Sequence, residues 1–109
     1  VQGAPHFNFS TGLPDGSPSR RTSSGAHGTS VAGLIGATAG NGVGMSGVAP
    51  GAGLAGWVIY DASGRSVTTE RIGDMFRYAS NVVSVQNHSW GPSGLRQRGP
   101  DALEDAGLQ

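Results

Sequence analysis

Glycine occupies 20 of the 109 positions in this chain, and this abundance limits the core that the chain can build. Hydrophobic residues make up 36% of the sequence, and the aromatic side chains are three Phe, two Trp and two Tyr. Small domains bury only a moderate fraction of their surface, so a chain with few large apolar groups has a thin core. The composition therefore argues against a complete, free-standing fold.

Charge and composition exclude several classes of partner. Seven arginines, with no lysine, balance seven acidic residues. This balance gives no general attraction to nucleic acid or to an anionic membrane. No apolar stretch approaches the roughly 20 residues that span a bilayer, and the start of the chain lacks the layout of a signal peptide. We therefore expect no nucleic-acid partner and no membrane partner. The absence of cysteine excludes disulfides and thiolate metal sites.

The first half of the chain predicts a loop, a helix and a strand in that order. Residues 1–26 are rich in proline, glycine and serine and predict mostly loop. Apolar residues at three- and four-residue spacing after Gly28 predict a short buried helix with Thr29 as its N-cap. The nearly continuous apolar run 54–60 predicts a strand that is covered on both faces.

The second half predicts a helix that begins within residues 66–69, a strand from Val82 to near Trp90 and a last helix that begins around Pro100. The apolar face of the first of these helices comprises Ile72, Met75, Phe76 and Ala79. Helices alternating with strands imply right-handed crossovers and an α/β fold, in which helices cover a parallel sheet. Two parallel strands have no independent stability, which predicts that this sheet is incomplete.

His27 opens the segment His-Gly-Thr-Ser-Val-Ala-Gly at the start of the first predicted helix. A general base must be held within hydrogen-bonding reach of its nucleophile. A helix end fixes the position of the ring, and Gly28 lets other groups approach it. Taken alone, a histidine beside glycine is more often a surface or capping residue, and this alternative stays open on these residues.

Together with Asn41-Gly-Val, Gly47-Val-Ala-Pro and Ser89-Trp-Gly-Pro, the histidine motif closely resembles the subtilase family of serine endopeptidases, nearest the kexin and furin branch. The resemblance runs from about residue 7 to residue 108. It implies that the chain is part of a subtilisin-like catalytic domain, with the parallel sheet and helical layers of that fold. His27 would be the general base and acid of a Ser-His-Asp triad.

The other two triad members are not expected in this chain. Asp15-Gly resembles the family's acid motif only superficially, because it lies too close to His27. Ser30 cannot be the nucleophile, since the family's Gly-Thr-Ser motif lies far downstream of the histidine. Asn81 and Asn87 precede Ser-Trp-Gly, whereas the family's oxyanion-hole asparagine follows it. We therefore expect the isolated chain to be inactive.

The resemblance also implies a substrate-binding edge, formed by Ser89, Trp90 and Gly91. In the family this edge pairs main chain to main chain with an extended peptide or protein substrate. On its residues alone, a buried tryptophan before a turn is the alternative. The furin branch selects basic residues with carboxylates at places that hold Ser24, Ser93 and Gly94 here, so we expect no strong preference for arginine or lysine.

A structural calcium site is implied in the loop that follows the first helix. By position its ligands are the side chain of Asn41 and the carbonyls of Thr38, Val43 and Met45, with carboxylates from elsewhere in the domain. Calcium prefers several oxygen ligands, many of them backbone carbonyls. A plain glycine-rich loop would look similar. The convertases' second calcium site corresponds to residues 8–15, which hold one acid, and is expected to be weak or absent.

Two alternatives belong to other functional classes. A pseudoprotease would keep the fold without catalysis, and the complete gene would then lack a Gly-Thr-Ser-X-Ala motif. A small α/β binding domain would unfold cooperatively by itself, whereas part of a larger domain depends on the remainder of that domain as its partner. Resemblance to the subtilases further implies secretion.

Overall fold

The computed structural model describes residues 3–18, 26–91 and 99–109. In chain order its elements are β1 (Phe7–Asn8), α1 (His27–Gly36), β2 (Trp57–Val58), α2 (Thr69–Arg77) and α3 (Ala102–Leu108). β1 and β2 pair in parallel. Mixed helices and strands with a small parallel sheet confirm the α/β class.

β1 is a two-residue strand within a segment that is otherwise loop among its described residues, as predicted. Phe7 lies opposite Trp57 in the parallel pair, and the Phe9 N–H donates to the Val58 carbonyl at 2.9 Å. Phe9 is only 3% exposed, so this short segment supplies part of the core. Two aromatic residues at alternate positions are too few to indicate a strand among so many turn-forming residues.

β2 is much shorter than the strand predicted for residues 54–60. Regular pairing is confined to Trp57–Val58, because β1 is its sole partner strand among the described residues. The side chain of Ile59 is buried just beyond it. Gly56 directly precedes β2 and lies very close to Gly16. A Cβ at Gly16 would collide with the Gly56 carbonyl oxygen.

α1 occupies the predicted segment but is not the buried helix that was expected. None of its residues is buried, and Leu34 is 55% exposed. The N-cap is Ala26 rather than Thr29, and it makes no side-chain capping bond. The prediction of burial was wrong because α1 makes no extended contact with any other helix or strand of the described ranges.

The core does not include α1. It lies around the two strands and α2. Its buried apolar side chains are Phe9, Ile59, Ile72 and Met75. The ring of Tyr78 lies 4.8 Å from Phe7, 5.6 Å from Phe9 and 5.7 Å from Trp57, centroid to centroid. We call β1, β2, α2, α3 and these side chains the core region. The thin core predicted from composition is confirmed among the described residues, since no large side chain is completely buried.

α2 begins at Thr69, within the predicted range, and packs against α3 through glycine. A Cβ at Gly107 would lie 3.0 Å from the Gly73 carbonyl oxygen, so the two helix backbones are nearly in contact. Ala79 does not extend the apolar face of α2 as predicted. It lies beyond the helix end with φ of 53°, a left-handed conformation that terminates the helical path.

α3 begins at Ala102, two residues after Pro100, where the helix was predicted to start. Asp101 accounts for the shift, because its carboxylate accepts from two backbone N–H groups of the first turn. Glu104 completes a capping box by accepting from the Asp101 N–H at 2.9 Å. None of the helices in the described ranges has the length and apolar character needed to cross a membrane.

The strand predicted from Val82 to near Trp90 is wrong. The chain turns at Ala79, whose carbonyl accepts from the N–H groups of Val82 and Val83, and then continues without regular structure. Val85 is 83% exposed. β-branched residues favour a strand only when another strand lies alongside, and the described residues supply none here.

Candidate functional site

His27 is the first residue of α1, and its side chain is exposed. Among the described residues, no atom would lie within 4 Å of a Cβ on Gly28. Three residues later, the Ser30 hydroxyl donates to the Ala26 carbonyl at 3.1 Å and closes the first turn. Ser30 therefore has a local structural role, which agrees with its rejection as a nucleophile.

Asp15 is engaged in a local turn. Its Oδ1 accepts from the Ser17 N–H at 2.9 Å. Hydrogen bonds from Ser17 lower the pKa of the Asp15 carboxyl below its usual value. This bonding is the ordinary behaviour of aspartate in a turn, and it gives no reason to reinstate Asp15 as a triad acid.

The last turn of α1 is closed by a segment that returns to it. The Val48 N–H donates to the Leu34 carbonyl at 3.0 Å, and the Ala49 N–H donates to the Ile35 carbonyl at 2.7 Å. These carbonyls belong to the helix end, where no partner within the helix is left to bond them. Residues 47–49 thus cap α1, which gives a structural reason for the Gly-Val-Ala-Pro motif.

Gly47 is the tightest point of this return. A Cβ at that position would lie 2.5 Å from the Ala37 nitrogen and 2.6 Å from the Ile35 carbonyl oxygen. Both are backbone atoms, so no side-chain movement could relieve the contact. We call α1 and residues 37–49 the histidine region; it is held by backbone contacts in place of buried side chains.

The loop between these anchors carries the predicted calcium ligands. Gly40, Gly42 and Gly44 have φ values of 71°, 73° and 66°, which only glycine adopts readily. Asn41 and Val43 alternate with these glycines, and the Asn41 Oδ1 accepts from the Val43 N–H at 3.1 Å. The loop is exposed around both residues.

The loop offers oxygen atoms of the type that calcium binds. Asn41 offers an amide oxygen, and the carbonyls of Thr38, Val43 and Met45 are neutral oxygens of the type that calcium takes from a turn. No carboxylate lies in residues 38–46, and the described part of the chain holds no group of three or more His, Cys, Asp or Glu side chains suited to a metal. A calcium ion at this loop would need carboxylates from other residues to balance its charge.

The predicted substrate edge lies in a segment without regular structure. Within the described ranges, residues 84–91 make no backbone-to-backbone hydrogen bond. The Ser89 hydroxyl accepts from the Asn87 side-chain amide at 2.9 Å, while Trp90 packs partly buried against the core region. Gly91 is exposed. A main chain that pairs with no other described residue is the kind of segment to which an extended peptide could add as a strand.

Sequence reasoning missed the side chains that hold Trp90. Its indole Nε1–H donates to the His88 Nδ1 at 3.3 Å, and His88 contacts the Gln86 side chain at 3.1 Å. Burial lowers the pKa of His88 below its usual value. A signal was present, because residues 86, 88 and 90 share one side of an extended chain.

The structure does not join the parts of the predicted site. No hydrogen bond or ring contact links His27 to residues 89–91 in the described portion of the chain. Ser24, Ser93 and Gly94, which bear on the predicted cleavage preference, lie outside the described residues.

Comparison with known proteins gives one match. The family model described as the subtilase family matches residues 4–108. No curated protein and no solved structure matches the chain. The matched span includes His27, the glycine-rich loop and the predicted substrate edge.

Proposed function

The chain belongs to the subtilase family of serine peptidases, and from this membership we propose that residues 1–109 act as part of the catalytic domain of a serine endopeptidase. The remainder of that domain is the proposed partner, since it would supply the serine and the aspartate of the triad. The observation that carries the proposal is the position of His27, which is exposed at the start of α1 and has no described atom crowding Gly28 beside it.

His27 would act on both halves of peptide-bond hydrolysis. As general base it takes the proton of the serine hydroxyl when that oxygen attacks the substrate carbonyl. As general acid it then gives the proton to the leaving amine. The capped helix supports this role, because a base must keep its orientation through two successive proton transfers.

Peptide binding is proposed at Ser89, Trp90 and Gly91. An extended substrate would form main-chain hydrogen bonds there, which gives affinity with little demand on sequence. Among the described residues, no backbone group pairs with the backbone of residues 84–91, and this supports the proposal. The Ser-Trp-Gly-Pro motif supports a place near the kexin and furin branch, although the acids that select basic residues are replaced. We propose a related, secreted endopeptidase with a broader cleavage preference.

Calcium is the proposed structural cofactor. Asn41 Oδ1 and the carbonyls of Thr38, Val43 and Met45 would hold it, together with carboxylates of the rest of the domain. Bound calcium would supply positive charge that ties this loop to those carboxylates. Its proposed effect is on stability, because binding to the native state alone favours folding.

The function is tested by replacing His27 with alanine in the complete enzyme. Turnover should fall by several orders of magnitude with little change in peptide binding, because the base acts mainly in the transition state. Ser30→Ala is the matched control on the same face of α1 and should retain activity. A loss smaller than about tenfold for His27→Ala would remove this residue from the mechanism.

A serine-directed phosphonate provides the second arm of this test. The complete enzyme should be labelled in equal molar amount, whereas the 109-residue chain should not be labelled, because the chain has no expected nucleophile. Failure to label the complete enzyme would favour the pseudoprotease alternative. Labelling of the isolated chain would show that its nucleophile was overlooked.

A further inference from the structure

A continuous line of hydrogen bonds runs from α2 to the indole of Trp90. The carbonyl of Phe76, near the end of α2, accepts from the Gln86 Nε2 at 2.9 Å. The Gln86 Oε1 lies 3.1 Å from the His88 Nε2. The His88 Nδ1 lies 3.3 Å from the Trp90 Nε1. Four residues are thus connected in one direction, from helix to indole.

The Phe76 carbonyl at one end and the Trp90 indole N–H at the other determine which atom of each hydrogen bond carries the hydrogen. A backbone carbonyl can only accept, so the Gln86 nitrogen points to Phe76 and the Gln86 oxygen points to His88. An indole N–H can only donate, so the His88 Nδ1 must accept from Trp90. The imidazole is therefore neutral, with its hydrogen on Nε2, and this hydrogen is donated to Gln86.

Ring packing holds His88 in the same place. The imidazole lies edge-on to Phe76, with 5.0 Å between centroids, and edge-on to Trp90, with 6.0 Å between centroids. Aromatic pairs favour this arrangement. The His88 ring therefore contacts both Phe76 of α2 and the indole of Trp90.

Charged groups do not account for the state of His88. His88 is an exposed residue, and partial desolvation of its ring is the cause of its lowered pKa, which disfavours the imidazolium. On α2, the neighbouring Arg77 donates to the Ala106 carbonyl of α3. The other charged residues of that helix, Glu70, Arg71 and Asp74, line a hollow beside Phe7 and Tyr78.

We propose that His88 is a positioning residue that sets the orientation of the Trp90 indole at the peptide-binding edge. This inference rests on the proposed function only in assigning peptide binding to residues 89–91. A protonated imidazole carries hydrogen on both nitrogens and cannot accept from Trp90. Protonation of His88 therefore releases the indole, and peptide binding weakens as the pH falls.

Substrate binding gains from this restraint because an ordered indole has less freedom to lose when the peptide arrives. The effect belongs in KM, since Trp90 would contact bound peptide and not the reacting atoms. Loss of one hydrogen bond of ordinary strength corresponds to a rise in KM of about two- to tenfold, with kcat unchanged.

The first test needs no substitution at His88. The complete enzyme is labelled with 5-fluorotryptophan, and the Trp90 fluorine resonance is assigned by its loss in Trp90→Phe. This resonance should be a single narrow line at mildly alkaline pH, and it should shift and broaden as the pH falls through the pKa of His88. A Trp90 line that is independent of pH across this range would overturn the proposal.

Two variants then separate hydrogen bonding from packing. His88→Gln keeps a donor and an acceptor, whereas His88→Phe keeps the ring contact with Phe76 and has neither. We expect His88→Phe to broaden the Trp90 line and raise KM, and His88→Gln to restore a narrow line that no longer responds to pH. An unchanged Trp90 line in His88→Phe would contradict the positioning role.

The two measurements distinguish this proposal from the proposed function. If the Trp90 line depends on His88 while KM does not, the positioning role is supported and the peptide-binding assignment of Trp90 fails. If the complete enzyme cleaves no peptide, the fluorine titration still decides whether His88 positions the indole. A change in KM without any change in the Trp90 line would overturn the positioning role.

Discussion

The core region and the histidine region are stabilised in opposite ways. In the core region, Phe9, Ile72 and Met75 are almost completely buried, and the chain segments are joined by aromatic side chains. In the histidine region no α1 side chain is buried, and backbone N–H groups of residues 47–49 bond directly to helix carbonyls. The motif proposed to carry the chemistry thus lies where side-chain packing contributes least, so its sequence is free to serve the site.

Truncating one side chain in each region should give the largest difference. Met75 is 2% exposed, and Met75→Ala should lower the free energy of unfolding by about 2–5 kcal/mol. Leu34 on α1 is 55% exposed, and Leu34→Ala should change it by less than about 0.5 kcal/mol. Urea unfolding of each variant in the complete enzyme, followed by circular dichroism, gives the two free energies. Equal effects for the two variants would remove the distinction between the regions.

Calcium should act on the histidine region alone. In the complete enzyme, Asn41→Ala should reduce the rise in melting temperature that calcium produces, because the variant lacks one proposed ligand. At a calcium concentration of about 100 times Kd, the ligand stabilises the native state by about 2.7 kcal/mol, which sets the upper limit of the effect. Asn81→Ala is a matched control outside the loop. An Asn41 variant with the full calcium response would refute the ligand assignment.

Adding a methyl group tests the backbone contacts of the histidine region. Gly47→Ala should lower the free energy of unfolding by about 1–3 kcal/mol, because its Cβ would overlap backbone atoms that cannot rotate away. Gly53→Ala is the control, since a Cβ there would meet no atom within 4 Å. Thermal melts of both variants decide the point. Similar melting temperatures would mean that residues 47–49 do not pack closely on α1.

The smallest expected effect concerns the end of the core region. Asp101→Ala removes the acceptor for two N–H groups of α3 and should cost about 1 kcal/mol of unfolding free energy. Asp101→Asn keeps an acceptor and should recover most of this loss. Hydrogen exchange of the α3 amides is the direct measurement. Identical exchange in the alanine variant and the parent chain would show that the capping box is dispensable.

Motifs and helical periodicity predicted the histidine region better than the core region. α1 and the start of α2 were located correctly, because a helix is specified by residues that are close in sequence. β1 was missed and the strand after Val82 was wrongly predicted, because a strand depends on a partner strand that is often distant in sequence. The role of His88 also escaped prediction, since it depends on Phe76 of another element.

For the candidate site, too, sequence predicted only those features that depend on neighbouring residues. The position of His27 at a helix start follows from the residues that come after it. Whether His27 and Trp90 serve one reaction depends on how separate segments meet, and local sequence does not encode this. The family match over residues 4–108 includes both residues, and no hydrogen bond or ring contact joins them in the described part of the chain.

Because residues 47–49 bond back to α1, the orientation of α1 does not depend on the length of the loop between them. The two ends of the loop are joined by a hydrogen bond of 2.9 Å from the Gly47 N–H to the Ala37 carbonyl. This bond involves none of the residues between them. Closing a flexible loop becomes only slowly less favourable with length, by about 0.6 kcal/mol for each doubling. Insertions near Gly42 should therefore lengthen the loop without rotating His27.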